Sequence, residues 1–251
     1  MGSEVLAAAC REPDLEPTCG VDIDASDDYL SLPDGSGRIP ISSDLESLLG
    51  THKPDVMVDF TNAEASIAAC RVAAAHGVNL VVGTTGLSEA TIRELDELAQ
   101  EHEIGAFVAP NFAIGAVLLV HLASTLGRFF DYAEIVEAHH EAKLDAPSGT
   151  SIAIAKALAS GRTEPFNRPM PEKEMLPNSR GAEQDGVSIH AMRMQGRVAH
   201  QELILGTVGQ TLTLRHDTTG HDCYMPGVLT AIRQVVQCKG LVVGLEKLLE
   251  L

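Results

Sequence analysis

The chain has 251 residues, 45% of them hydrophobic, enough to bury a sizeable core in one large domain or two of modest size. Its formal net charge of −17 opposes non-specific association with nucleic acid or anionic lipid, and it requires that any anionic ligand be met by a local positive cluster. No apolar run reaches about 18 residues, and the opening Met1-Gly2-Ser3-Glu4 lacks the basic flank and apolar stretch of a signal peptide, so a cytoplasmic chain without membrane attachment is expected.

The first elements in chain order are a helix over about residues 3–11 and a short strand before Asp22. The apolar run 55–60 has strand length, and Thr61-Asn62 leads from it into a helix over about residues 63–76, closed by Gly77. The same pattern then repeats. Residues 78–82 are strand-like, Gly83-Thr84-Thr85-Gly86 is a loop, and Ser88 can cap a helix running to about His102. A third run, 104–109, ends in Pro110-Asn111. Strands alternating with helices of this length predict parallel βαβ units in a doubly wound sheet, with ligands beyond the carboxyl ends of the strands. A long apolar helix over 113–126 and a strand over 132–138 follow. The Pro-, Glu-, Asn- and Gly-rich residues 161–185 predict a long surface loop. Residues 187–193, 197–205 and 210–216 are β-type segments separated by glycines, which favours a second domain on a mixed or antiparallel sheet. Pro226-Gly227 opens a helix through Gln237, and Gly240 separates it from a short amphipathic tail. The five cysteines, Cys10, Cys19, Cys70, Cys223 and Cys238, form no CxxC pair and are expected to be reduced and mostly buried. The ten histidines show no metal-ligand spacing.

The stretch that carries chemistry is Glu137-Ala138-His139-His140-Glu141-Ala142-Lys143-Leu144-Asp145-Ala146-Pro147-Ser148-Gly149-Thr150. It starts at a strand end and brings three potentially cationic side chains within five residues. Pro-Ser-Gly-Thr and an apolar helical run over 151–158 come next. Ser148 or Thr150 can cap that helix, whose free amides and positive dipole end suit an anion. Histidine exchanges a proton near neutral pH, and a lysine ammonium holds a carboxylate or donates to developing negative charge.

This string resembles the signature of the dihydrodipicolinate reductase family. Val58-Asp59-Phe60-Thr61, Val82-Gly83-Thr84-Thr85-Gly86, Ala109-Pro110-Asn111-Phe112, His216-Asp217 and Met225-Pro226-Gly227 resemble further family landmarks, in order, over about residues 2–238. The resemblance implies an α/β chain. A Rossmann-type dinucleotide-binding domain (1–112 with 220–251) would carry an inserted α+β domain with a mixed sheet (113–219) for substrate binding and homotetramer formation. It implies hydride transfer from NADPH or NADH to a cyclic dicarboxylate, giving tetrahydrodipicolinate on the diaminopimelate route to lysine. His139 would be the general acid and Lys143 its partner, with His140, Lys143, Gly149 and Thr150 on the substrate carboxylates. Gly83, Thr84, Thr85 and Ala109, Pro110, Asn111, Phe112 would line the cofactor. Asn111 can equally form an Asx turn, and Asp59 is expected only to hold loop backbone donors.

One departure stands out. A dinucleotide fold opens with an apolar strand and a Gly-rich turn, whereas here Gly2 takes the place of the last glycine of that turn. The expectation is a dinucleotide domain lacking its first strand, whose neighbours would each miss a partner. Asp22, 20 residues beyond Gly2, stands near the roughly 20-residue spacing of a ribose-binding acid and favours an unphosphorylated ribose. A homoserine or aspartate dehydrogenase relative would share the plan but leaves 139–150 unexplained. The other alternative is a truncated, catalytically impaired homologue acting only as an oligomerising or binding protein. Whether Arg193, Arg197 and His200 serve the site or only the sheet stays open at this level.

Overall fold

The computed structural model describes all 251 residues, which divide into two compact units: Met1–Ala113 with Tyr224–Leu251, and Ile114–Cys223. The first unit opens with α1 (Gly2–Ala9), β1 (Gly20–Val21), β2 (Tyr29–Ser31), β3 (Arg38–Ser42), α2 (Leu45–His52) and β4 (Val56–Asp59). It continues through α3 (Ala63–Ala75), β5 (Asn79–Val82), α4 (Glu89–Glu101) and β6 (Gly105–Val108). The second unit holds α5 (Ile114–Leu126), β7 (Tyr132–His139), α6 (Gly149–Ser160), β8 (Ala182–Gln184), β9 (Val187–Arg193), β10 (Ala199–Thr207) and β11 (Gln210–Thr218). The chain returns to the first unit with α7 (Met225–Val235), β12 (Gly240–Val243) and α8 (Leu245–Leu248).

In the first unit β12, β6, β5 and β4 form one parallel sheet in that order, and β1, β3 and β2 form a separate one. β1 and β4 each pair on one edge only. Apart from Asn79 at its start, β5 is apolar, and so is β6, as strands covered on both faces must be: Leu80, Val81, Val82, Ala106 and Phe107 are buried. The helices begin where capping side chains allow. Asn62 and Ser88 accept hydrogen bonds from the Ala65 and Thr91 amides at α3 and α4, each cap worth about 1 kcal/mol. Gly77, at φ +74°, carries the chain out of α3 in the left-handed conformation that closes helices.

The second unit has a five-stranded mixed sheet in the order β11-β10-β7-β9-β8, antiparallel except for the β7–β9 pair. Ala133, Ile135, Glu137 and His139 of β7 share the face that packs inward, since alternate residues of a strand point the same way. Ile135, Leu203, Leu205, Ile154, Leu158 and Ala123 form the core between sheet and helices.

The structure corrects four expectations. The tail after Gly240 is not merely amphipathic: it makes β12, the edge strand beside β6, and only then a short helix. The predicted loop 161–185 ends in β8, paired with β9. Residues 29–52 hold two strands and a helix that periodicity did not reveal. Of the five free cysteines only Cys70 is buried; burial pushes its thiol up to about 12, which leaves it unreactive.

Candidate active site

β7 delivers His139 at its carboxyl end, where the register sets it beside Arg193 of β9 and Ala199 of β10. Two residues earlier on the same face, Glu137 is fully buried. A lone buried carboxylate is costly unless paired and hydrogen-bonded. Glu137 meets both conditions. The Arg193 guanidinium donates to both of its oxygens, at 2.8 and 2.9 Å, and His139 Nδ1 and the Ser148 amide (3.2 Å) complete the set. Burial alone would raise the Glu137 pKa, but the hydrogen bonds and charges of Arg193 and His139 outweigh it and hold the carboxyl below its ordinary value. For His139, burial pulls the pKa below that of an ordinary histidine. Glu137 opposes this, and the positive charges of Lys143 and Arg193 reinforce it. The resting ring is therefore neutral at pH 7, with Nε2 outside these hydrogen bonds.

The following loop turns back along β9. Arg193 also donates to the Asp145 carbonyl (2.7 Å), which ties the loop to Glu137. Lys143 Nζ donates to the Asp145 carboxylate at 2.7 Å, and that bond holds the Asp145 pKa below the usual value. His140 is exposed. The chain then enters α6 through a cis Ala146–Pro147 bond. Ser148, not Thr150, caps α6, accepting from the Ser151 amide. Buried Gln201 of β10 donates to the Ser148 hydroxyl and accepts from that of Ser151, both at 2.9 Å. The first amides of a helix have no partner within it, and a Cβ added at Gly149 would meet nothing within 4 Å. The Gly149 and Thr150 amides are thus among the helix's unpartnered first donors, beside an open space at Gly149 and in the same short segment as Lys143 and His140.

In the first unit, Gly83–Thr85 and Ala109–Phe112 follow the adjacent strands β5 and β6, and the Ala109 amide donates to the Val82 carbonyl. Thr84 is buried and donates to Asp59, whose other oxygen takes the Thr61 hydroxyl, each at 2.7 Å. Asp59 thus grips side-chain hydroxyls and joins the ends of β4 and β5, a different task from the backbone role expected. A Cβ at Gly83 would overlap the Phe60 ring, which packs at 5.5 Å from that of Phe112. Ala109 and Phe112 are buried, Pro110 and Thr85 are exposed, and Asn111 accepts from the Ala113 amide in an Asx turn. Gly2 opens α1, whose first turn carries no side-chain cap. Asp22 is exposed just past β1, with one oxygen bonded to the Asp24 amide. An uncapped helix start offers amide donors, and the loops at the ends of β5 and β6 and the carboxylate after β1, an acceptor for a ribose hydroxyl, are features that dinucleotide sites use.

Sequence reasoning gave no role to Glu137 or Gln201 and left that of Arg193 open. The available signal was alternation, since Glu137 lies two residues before His139 on the same strand. No group of three or more His, Cys, Asp or Glu side chains is arranged to hold a metal ion.

Comparison with known proteins bears on both units. A family model described as dihydrodipicolinate reductase, N-terminus, matches residues 1–112, and its C-terminus counterpart matches residues 115–249. A Dehalococcoides mccartyi protein named 4-hydroxy-tetrahydrodipicolinate reductase is 54% identical over 251 residues, covering 100% of this chain and 95% of its own length. One of the same name from Shouchella clausii is 42% identical over 254 residues, covering 100% and 96%. A solved structure, dipicolinate-bound dihydrodipicolinate reductase from Paenisporosarcina sp. TG-14, superposes with a TM-score of 0.85 at 38% identity, over 98% of this chain and 94% of that one. An amine dehydrogenase from Mycobacterium smegmatis, at 16% identity and a TM-score of 0.63 over 96% and 91%, shares the fold alone.

Proposed function

The chain belongs to the dihydrodipicolinate reductase family, and we propose that the end of β7 and the start of α6 seat its dicarboxylate substrate. Its activity is the NAD(P)H-dependent reduction of 4-hydroxy-tetrahydrodipicolinate to tetrahydrodipicolinate, in the diaminopimelate route to lysine. The observation that carries the site reading is that Lys143, two histidines that can take up a proton and the uncapped first amides of α6 fall within residues 139–150, the groups with which a chain of net charge −17 can meet a dianion locally.

His140, Lys143 and the amides of Gly149 and Thr150 bind the carboxylates. Lys143 exchanges its bond to Asp145 for the substrate and stabilises negative charge as the ring is reduced, while His139 Nε2 gives the proton. Donors aimed at developing charge are a large source of rate. The first unit's residues suit the nicotinamide cofactor, NADPH or NADH, which supplies the hydride when bound. The α1 start at Gly2 takes its pyrophosphate, Asp22 its adenosine ribose, and Gly83–Thr85 with the 109–112 backbone its nicotinamide half. The reading extends to a cytoplasmic homotetramer assembled through the second unit's sheet, which exposes Tyr132, Met192 and Leu212. No helix is long and apolar enough to cross a membrane.

The experiment is oxidation of NADH and of NADPH with substrate generated in place by dihydrodipicolinate synthase, with pyridine-2,6-dicarboxylate as competitor. Substrate-dependent oxidation inhibited competitively by the pyridine is expected. Oxidation indifferent to it would overturn the assignment of the β7–α6 segment, and light scattering during elution decides the tetramer.

A further inference from the structure

We infer that Glu137 is a positioning residue of the reduction, accepting the Nδ1 proton of His139 so that Nε2 is the nitrogen presented as the acid. This rests on the reading of His139 as proton donor. The geometry goes beyond what a structural ion pair needs. Arg193 and the carboxylate match two donors to two oxygens, which suffices to hold a charge in the core. Glu137 nevertheless takes two further partners, and both lead to the site: His139, and the amide of Ser148, the residue that caps α6. One buried group therefore sets the imidazole tautomer and the origin of the carboxylate-binding turn together.

Arg193 has a second part in this arrangement. An unpaired buried carboxylate beside an imidazolium would take its proton; held by a guanidinium, Glu137 stays anionic and only orients. It acts as the carboxylate of a catalytic triad does, fixing the ring and its tautomer without becoming protonated. The step balances simply. The 4-hydroxyl leaves with a ring proton as water, giving the conjugated ring; the hydride that a bound NAD(P)H would supply, itself oxidised to NAD(P)+, adds to that ring, the Nε2–H bond of the imidazolium breaks as a bond forms to the substrate atom made basic, and neutral imidazole remains with its Nδ1–H still hydrogen-bonded to anionic Glu137. His139 is faced by Glu137 of its own strand, Lys143 of the following loop and Arg193 of β9, and their balance leaves it neutral at rest. A dianionic substrate alters that balance toward the protonated ring, so the acid forms where its substrate has bound.

The test has two parts. Nitrogen-15 spectra of the histidines in the intact, ligand-free protein at pH 8 report the tautomer without turnover; His139 is expected to carry its proton on Nδ1. In steady-state kinetics, Glu137→Gln is expected to lower kcat by about 10²–10⁴-fold, the range that a positioned general acid contributes. Its substrate KM should stay within about three-fold, and the basic limb of its pH profile should move to lower pH, because the imidazolium loses its anion. A neutral His139 protonated on Nε2 overturns the inference even if the variant fails to fold. So does a folded Glu137→Gln enzyme with kcat within two-fold of the original and an unmoved limb. A wild-type protein that oxidises no cofactor with substrate would instead defeat the reductase reading, and the turnover-free spectrum tells the two failures apart.

Discussion

The loops after β5 and β6 and the loop after β7 both lie at strand ends and both carry candidate ligand groups, but they are held differently. After β5 and β6 the hold is mainly backbone: the Gly83 and Ala109 amides donate to neighbouring strands, Asn111 closes its own turn, and one side-chain link joins Thr84 to Asp59. After β7 the hold is a connected set of side chains: Glu137, Arg193, His139, Ser148, Ser151 and Gln201. Backbone ladders tolerate side-chain replacement so long as no atom is added in a filled place. A buried charged network does not, since removing one member leaves another uncompensated. A dinucleotide cofactor can be held by amides and glycines, whereas proton transfer to a dianion needs titratable groups at set distances.

The largest effect should come from breaking the network at its cation. Arg193→Met keeps the bulk but strands Glu137, and is expected to cost about 3–5 kcal/mol of unfolding free energy by urea titration. A loss under about 1 kcal/mol would mean that the pair is not the anchor of this region. Next comes Lys143→Ala, expected to lower kcat/KM by at least about 10²–10³-fold, or roughly 3–4 kcal/mol of transition-state stabilisation. Its melting temperature should hardly move, because its partner Asp145 is largely exposed. Near-normal turnover would remove Lys143 from the mechanism. On the backbone-held side, Gly83→Ala pushes a methyl into the Phe60 ring and should cost about 1–3 kcal/mol with weaker cofactor binding, while the network after β7 is untouched. An unchanged dissociation constant for both NADH and NADPH would take Gly83 out of the cofactor site.

The gentlest probe is pH. His139 and His216 both have pKa values depressed mainly by burial, so the unfolded chain binds more protons than the folded one between their folded values and about 6.5. Stability contributed by keeping these rings neutral is therefore present above pH 6.5 and is lost as pH falls through that window. Glu137, also depressed, adds a loss at lower pH, as protons reach its unfolded counterpart below the ordinary carboxylate value. Thermal melts from pH 8 to 5 should decline monotonically; a melting temperature that rises on acidification to pH 6 would contradict these assignments.

Much of this was legible locally. The alternation of strands and helices over 55–109, the caps at Asn62 and Ser88, the β9 span and the 137–150 string are short-range features, set by neighbours within a turn or two. β12 was hidden because four residues of modest apolarity become a strand only when β6 offers an edge. β2 and β3 stayed hidden as well: β2 is only three exposed residues, and β3 has a single fully buried side chain, Ile39.

The amino-acid sequence by itself thus determined the parallel βαβ order of the first unit, the mixed sheet of the second and the segment in which His139, Lys143 and the α6 amides come together. Only the tertiary structure decided what those groups are attached to. Arg193 lies 56 residues from Glu137, and the two meet because β7 and β9 pair in parallel with His139 opposite Arg193. A one-residue slip in that register would turn Arg193 to the other face and leave the carboxylate alone. Burial, charge state and tautomer all follow from that register, which no local pattern encodes.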